Sequence, residues 1–166
     1  EGVDLGDNLE ELEEQFSSLT DFLKDELKDK ISKVKLSSRL TSTPAAVVSS
    51  SYGYSADMEK IMKAQALSDP RYAALFAGKK IFEINPRHPI IKKMNTLVED
   101  QEVTEELVDL VHVLYESAVL GSGYTLDEPA DYGKRVFNLV SVSLGVENEP
   151  IEEFDEPVEE DVHEEL

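Results

Sequence analysis

The sequence predicts an α+β fold: a small, mainly antiparallel three-stranded sheet with helices packed on it, ending in a pair of long helices. Three observations predict this. Apolar residues recur at spacings of three and four near the start of the chain and again from His88 to Leu144. They alternate with polar ones in short runs around 34–48 and 80–84. A length of 166 residues, 40% of them hydrophobic, suits one domain of ordinary size with tails.

The first helix is expected from Leu9 to Leu27, where Leu9, Leu12, Phe16, Leu19, Leu23 and Leu27 form one stripe. Glu10, Glu11, Glu13 and Glu14 crowd its start and Lys24, Lys28 and Lys30 its end, as the helix dipole favours. From Val34 the period becomes two: Val34, Leu36, Ser38 and Leu40 share a face, then the turn-like Thr41-Ser42-Thr43-Pro44 leads into Ala45-Ala46-Val47-Val48. A hairpin is the expected arrangement. Ser55 is placed to cap a helix running to about Leu67, on which Met58, Ile61, Met62 and Gln65 align. A short helix is expected over Tyr72 to Ala77. Lys80 to Ile84 reads as the third strand, ended by Asn85-Pro86.

The remainder reads as helical. His88 to Glu99 carries Ile90, Ile91, Met94 and Leu97, with Pro89 in the first turn. Thr104 caps a helix through Leu107, Leu110, Val111, Leu114, Tyr115, Ala118 and Leu120, which Gly121-Ser122-Gly123 stops. Asp127-Glu128-Pro129 starts another, bearing Tyr132, Val136, Phe137, Leu139, Val140, Val142 and Leu144 before Gly145. Both helices are apolar on more than one stripe. Either this small domain buries them entirely, or a second copy covers the excess; with one small sheet to shelter them, the sequence favours self-association.

Charge and composition exclude several functions. The chain has 36 acidic and 16 basic residues, a net charge of −20 that repels polyanions, so nucleic acid is not an expected partner. No apolar run approaches the roughly 18 residues of a membrane span, and membrane insertion is not expected. With no cysteine there is no disulfide, zinc-thiolate site or cysteine nucleophile. No phosphate-cradling loop, dinucleotide fingerprint or zinc motif occurs. His112 and Glu116 are one helical turn apart, but they lie in the most apolar helix without an evident third ligand. No catalytic, cofactor-binding or metal-ligating residue is nominated. Glu147 to Leu166 holds eleven acidic residues and no Lys or Arg, leaving −9 for the rest. This tail reads as a solvated segment, although Ile151, Phe154, Val158 and Val162 would allow a short docked piece. The opening Glu-Gly-Val-Asp has neither a start methionine nor a basic-then-apolar leader, and reads as a piece of a longer protein.

Several segments carry a resemblance. Tyr52-Gly53-Tyr54-Ser55-Ala56-Asp57-Met58-Glu59-Lys60-Ile61-Met62-Lys63-Ala64-Gln65-Ala66-Leu67 and Phe82-Glu83-Ile84-Asn85-Pro86-Arg87-His88-Pro89-Ile90-Ile91 resemble the C-terminal domain of the heat shock protein 90 chaperone family. Leu114-Tyr115-Glu116-Ser117-Ala118 with Ser122-Gly123-Tyr124 is similar to the same family further along, and the likeness spans roughly Phe16 to Val146. It implies residues 1–9 as a linker from a middle domain, 10–146 as a C-terminal homodimerisation domain and 147–166 as an acidic tail. In such a dimer the helices Thr104 to Leu120 and Pro129 to Leu144 form a four-helix bundle, with Leu107, Leu110, Val111, Leu114, Ala118, Tyr132, Val136, Leu139 and Val140 at the interface. The resemblance also implies client-protein contacts at Tyr54, Met58, Ile61 and Met62, where the flexible thioethers suit irregular apolar partners; packing within the core is the other reading of the two methionines. ATP and Mg would belong to the full-length protein and not to this piece, which is expected to have no enzyme activity.

The cytosolic ending Met-Glu-Glu-Val-Asp is absent. His163-Glu164-Glu165-Leu166 is instead similar to the endoplasmic-reticulum retrieval signals KDEL and HDEL, with Glu for Asp. This implies the endoplasmic-reticulum branch of the family, a lumenal location and a retrieval receptor as a further partner, with weak, high-capacity calcium binding by the tail. An acidic calcium buffer of that lumen is the alternative function.

Overall fold

The computed structural model describes residues 9–49, 55–66 and 79–151. Its elements run α1 (Leu9–Gln15), α2 (Ser17–Glu26), β1 (Ile31–Leu36), β2 (Ala45–Ser49), α3 (Ala56–Ala66), β3 (Lys80–Ile84), α4 (Pro89–Glu99), α5 (Glu105–Gly121) and α6 (Pro129–Leu144). The fold is α+β. The helix expected over Tyr72 to Ala77 lies outside the described residues.

The sheet differs from the expected one in its pairing. Its order is β1-β3-β2, so β1 and β2 do not form a hairpin; β3 lies between them, parallel to β1 and antiparallel to β2. The sheet is therefore mixed. The register puts Val34, Phe82 and Val47 in one row and Leu36, Ile84 and Ala45 in the next. Alternation reports that a segment is a strand and says nothing of its neighbour. A better guide is that Phe82, Glu83 and Ile84 are consecutively buried, as befits a strand covered on both faces. Glu83 is tolerated there because Arg39 Nε and Nη2 each lie 2.8 Å from its Oε2.

Asn85 holds the crossing in place. Fully buried at the end of β3, it donates from Nδ2 to the carbonyls of Thr43 (3.2 Å) and Thr41 (3.4 Å), and its Oδ1 accepts from the Arg87 amide. The 37–44 connection thus passes over the end of β3 instead of turning tightly from β1 into β2.

The first helix is broken at Phe16, whose φ of −99° and ψ of 8° leave the helical region while its ring enters the core. Asn95 Nδ2 donates to the Gln15 carbonyl beside the break, fastening it to α4. Phe16, Leu19, Leu23 and Leu27 are all buried, so the predicted stripe is the core-facing one. β1 begins at Ile31, earlier than alternation suggested.

The two expected caps are present, Ser55 Oγ accepting from the Met58 amide and Thr104 Oγ1 from that of Leu107, and the structure adds a third, His88 Nδ1 accepting from the Ile90 amide. Gly145 ends α6 in the left-handed region at φ 71°. α2 packs on β1 and α4, while α5 packs on β2 and carries α6. The connector after α5 is tied to the sheet edge, where the Val47 amide donates to Ser122 Oγ at 2.9 Å.

Candidate functional site

Among the described residues, the α5–α6 pair leaves several large apolar side chains uncovered by the chain. α6 has sixteen residues and none is buried. One of its stripes faces α5. Tyr132 Oη lies 3.3 Å from Ser117 Oγ, and Arg135 Nη1 donates to both oxygens of Glu116, at 2.8 and 3.0 Å. Val136 and Leu139, spaced with Tyr132 and Arg135, are half-buried. The other stripe lies open: Phe137 is 72%, Val140 49% and Leu144 71% exposed. Single exposed apolar residues are ordinary, but three at spacings of three and four make a continuous ridge.

Glu116 is the electrostatic centre of the pair. It is buried in α5, and besides Arg135 it has Lys30 Nζ 3.6 Å away. Arg135 Nε also lies 3.8 Å from Asp109. A buried carboxylate is tolerable only when paired in this way. It binds α6 to α5, and both to the turn between α2 and β1. Sequence reasoning placed Glu116 beside His112; the structure instead sets His112 Nε2 3.4 Å from Glu26 Oε1, joining α5 to α2. The missed signal was Arg135, a lone arginine within an apolar helix, which needs a carboxylate opposite. Among the described residues no group of three His, Cys, Asp or Glu is arranged to hold a metal ion.

Beside this pair the Tyr115 ring meets Phe82 edge-on, with centroids 5.5 Å apart, and Lys30 Nζ sits 5.8 Å from its centre. Burial raises the Tyr115 phenol far above its ordinary range, and the charges of Asp127, Glu59 and Glu116 raise it further. On the open start of α6, a hydrogen bond from Lys134 holds Asp131 below the usual carboxylate range, and the charge of Lys134 adds to it.

The residues named at the sequence level as interface fall into three groups. Leu107, Val111 and Ala118 are buried in the chain's own core, and Leu114 packs against it. Tyr132, Val136 and Leu139 are half-buried. Leu110 and Val140 are exposed. Phe137 and Leu144, the most exposed apolar residues of α6, were not on that interface list, because spacing alone does not say which stripe meets α5.

Of the candidate client-contacting residues, Met58 is 45% and Ile61 56% exposed on α3. Met58 is therefore not core. Met62 belongs to α3, but its side chain lies outside the described residues, as do Tyr54 and the tetrapeptide His163, Glu164, Glu165 and Leu166. Among the described residues no helix is long and apolar enough to cross a membrane.

A family model described as Hsp90 protein matches residues 3–166. The chain is 42% identical over 162 residues to an Endoplasmin homolog of Hordeum vulgare, covering 96% of this chain and 20% of that protein. It is 39% identical over 160 residues to Heat shock protein 90-5, chloroplastic, of Arabidopsis thaliana, covering 94% and 20%. To the Putative heat shock protein HSP 90-beta-3 of Homo sapiens it is 37% identical over 143 residues, covering 86% and 24%. The chain spans about a fifth of the length of these relatives. With a family model matched over nearly its entire length, the chain belongs to the Hsp90 family.

Proposed function

We propose that this chain is the C-terminal homodimerisation domain of an Hsp90-type, ATP-dependent molecular chaperone. The observation that carries the reading is the ridge of Phe137, Val140 and Leu144 on a helix that its own subunit leaves without one buried residue. Two copies placed with their α6 ridges facing would remove both from water, an isologous contact in which every residue counts twice. The α5–α6 pairs of the two protomers then make a four-helix arrangement. In this reading the association falls to Leu110, Phe137, Val140 and Leu144, while Leu107, Val111 and Ala118 support the face from beneath.

On this proposal α3 presents Met58 and Ile61 to non-native client proteins, whose exposed apolar segments such a surface fits. ATP and Mg would be bound by parts of the whole protein outside this chain, which itself performs no hydrolysis. The proposed location is the endoplasmic-reticulum lumen. The relative bearing the name Endoplasmin homolog and the likeness of His163-Glu164-Glu165-Leu166 to retrieval tetrapeptides support it, as does an acidic tail suited to weak calcium binding. The decisive experiment is sedimentation of the chain across micromolar concentrations: a dimer is expected, and a monomer throughout that range would overturn the reading.

A further inference from the structure

Lys80 stands where three parts of the molecule meet. Its Nζ lies 2.7 Å from Glu59 Oε2 on α3, and both side chains are nearly removed from water, at 14% and 11% exposure. The same Nζ sits 4.7 Å from the ring centre of Tyr124, which is itself buried in the connector between α5 and α6. Lys80 is also the first residue of the central strand, with its backbone amide bonded to the Lys30 carbonyl.

The connector also runs beside the start of α3: a Cβ added at Gly123, whose φ is 88°, would meet Ala56 Cβ at 3.6 Å, an ordinary contact distance. On the opposite side the connector is fixed to β2 through Ser122. Met58 and Ile61 flank Glu59 in sequence and point outward. The orientation of their face therefore depends on how Glu59 is held.

We propose that Lys80 is a positioning residue that locks the exposed Met58–Ile61 face of α3 to the α5–α6 connector, so that loading of that face and pairing of the α5–α6 helices are energetically coupled. This rests on the reading of α3 as a client-contacting helix. The physical basis is that an ammonium group taken out of water must keep both its carboxylate and its aromatic face. A ligand that tilts α3 pulls Glu59, and Lys80 then either follows or loses Tyr124. The connector cannot remain indifferent. Coupling of this kind is reciprocal: whatever factor a ligand on α3 applies to dimer affinity, dimerisation applies to the ligand.

Hydrogen exchange on the full 166-residue chain tests the lock directly. Lys80→Met is expected to accelerate exchange of the 56–66 amides about tenfold or more, while the Phe82 and Ile84 amides of the central strand keep their protection. Lys80→Arg should restore most of the difference. Unchanged exchange in α3, or equal acceleration of α3 and sheet, overturns the proposal. If Lys80→Met does not fold, Glu59→Gln, which keeps the shape and removes the charge, decides by the same readout.

The coupling is read as the change in dimer dissociation constant on adding reduced, carboxymethylated lactalbumin as an unfolded probe. A severalfold shift is expected in the parent chain and none in Lys80→Met or Tyr124→Leu; an equal shift in all three overturns the coupling. If Met58→Ala with Ile61→Ala leaves probe binding untouched, the client reading of α3 fails, while the exchange result still decides whether Lys80 holds the helix.

Discussion

Replacing Phe137 by Ala separates association from folding. Phe137 is 72% exposed in the single subunit. A phenylalanine buries on the order of 200 Å² when fully covered, so roughly 140 Å² remains for a partner to cover. At about 25 cal/mol per Å² this amounts to about 3.5 kcal/mol, of which alanine keeps about a third. The loss is about 2 kcal/mol per copy and, in a two-fold interface, about 4 kcal/mol per dimer, a rise of roughly a thousandfold in Kd. The subunit itself should not weaken, since alanine is the better helix former and nothing in the subunit's core rests on the ring. Leu107→Ala provides the contrast: it opens a core cavity and should cost the subunit about 2–5 kcal/mol of stability. Sedimentation over about 0.1–100 μM together with thermal unfolding measures both quantities. A Kd unchanged within about threefold in Phe137→Ala would refute the assignment of the ridge to the interface, as would a parent chain that is monomeric throughout.

Three further outcomes follow from individual contacts. Arg135→Met strands Glu116 in the interior with only the more distant Lys30, and should destabilise the chain by about 3 kcal/mol in urea unfolding; a cost below about 1 kcal/mol would mean that water reaches the carboxylate. Asn85→Ala leaves the Thr41 and Thr43 carbonyls without their donor and should cost about 1–3 kcal/mol, with faster amide exchange confined to the 37–44 connection. Tyr115 is raised above its ordinary value of 10, so folding loses nothing on its account below pH 10; stability falls above it, by up to about 1.4 kcal/mol per pH unit, until the folded-state value is reached. Absorbance titration should show one of the six tyrosines ionising only with unfolding, and Tyr115→Phe should flatten that alkaline limb of the stability curve.

The elements legible in the sequence were those set by local chemistry. The stripe from Phe16 to Leu27, the caps at Ser55 and Thr104, the proline starts of α4 and α6 and the glycine after Leu144 each depend on a few adjacent residues, and each stands where its chemistry places it. What was not legible depends on partners far along the chain. The seating of β3 between β1 and β2 rests on Asn85 reaching back more than forty residues, and the Glu116–Arg135 pair joins two helices across a connector. Periodicity carries no information about either.

The apolar excess read from the last two helices has two different causes. α5 is rich in apolar residues on several sides because it is packed within the chain's own fold, with Leu107, Val111, Tyr115, Ala118 and Val119 turned into the core. α6 has no such role. Its contacts run along Tyr132, Arg135 and their neighbours, and because Arg135 is held by a buried carboxylate the helix cannot roll to hide Phe137 or Leu144 without breaking that pair. The ridge is therefore kept facing outward by the same ion pair that fixes α6 to α5. On the proposed dimer reading, a helix so constrained would lower the ordering cost of pairing with a second copy, since the surface to be matched is already rigid beforehand.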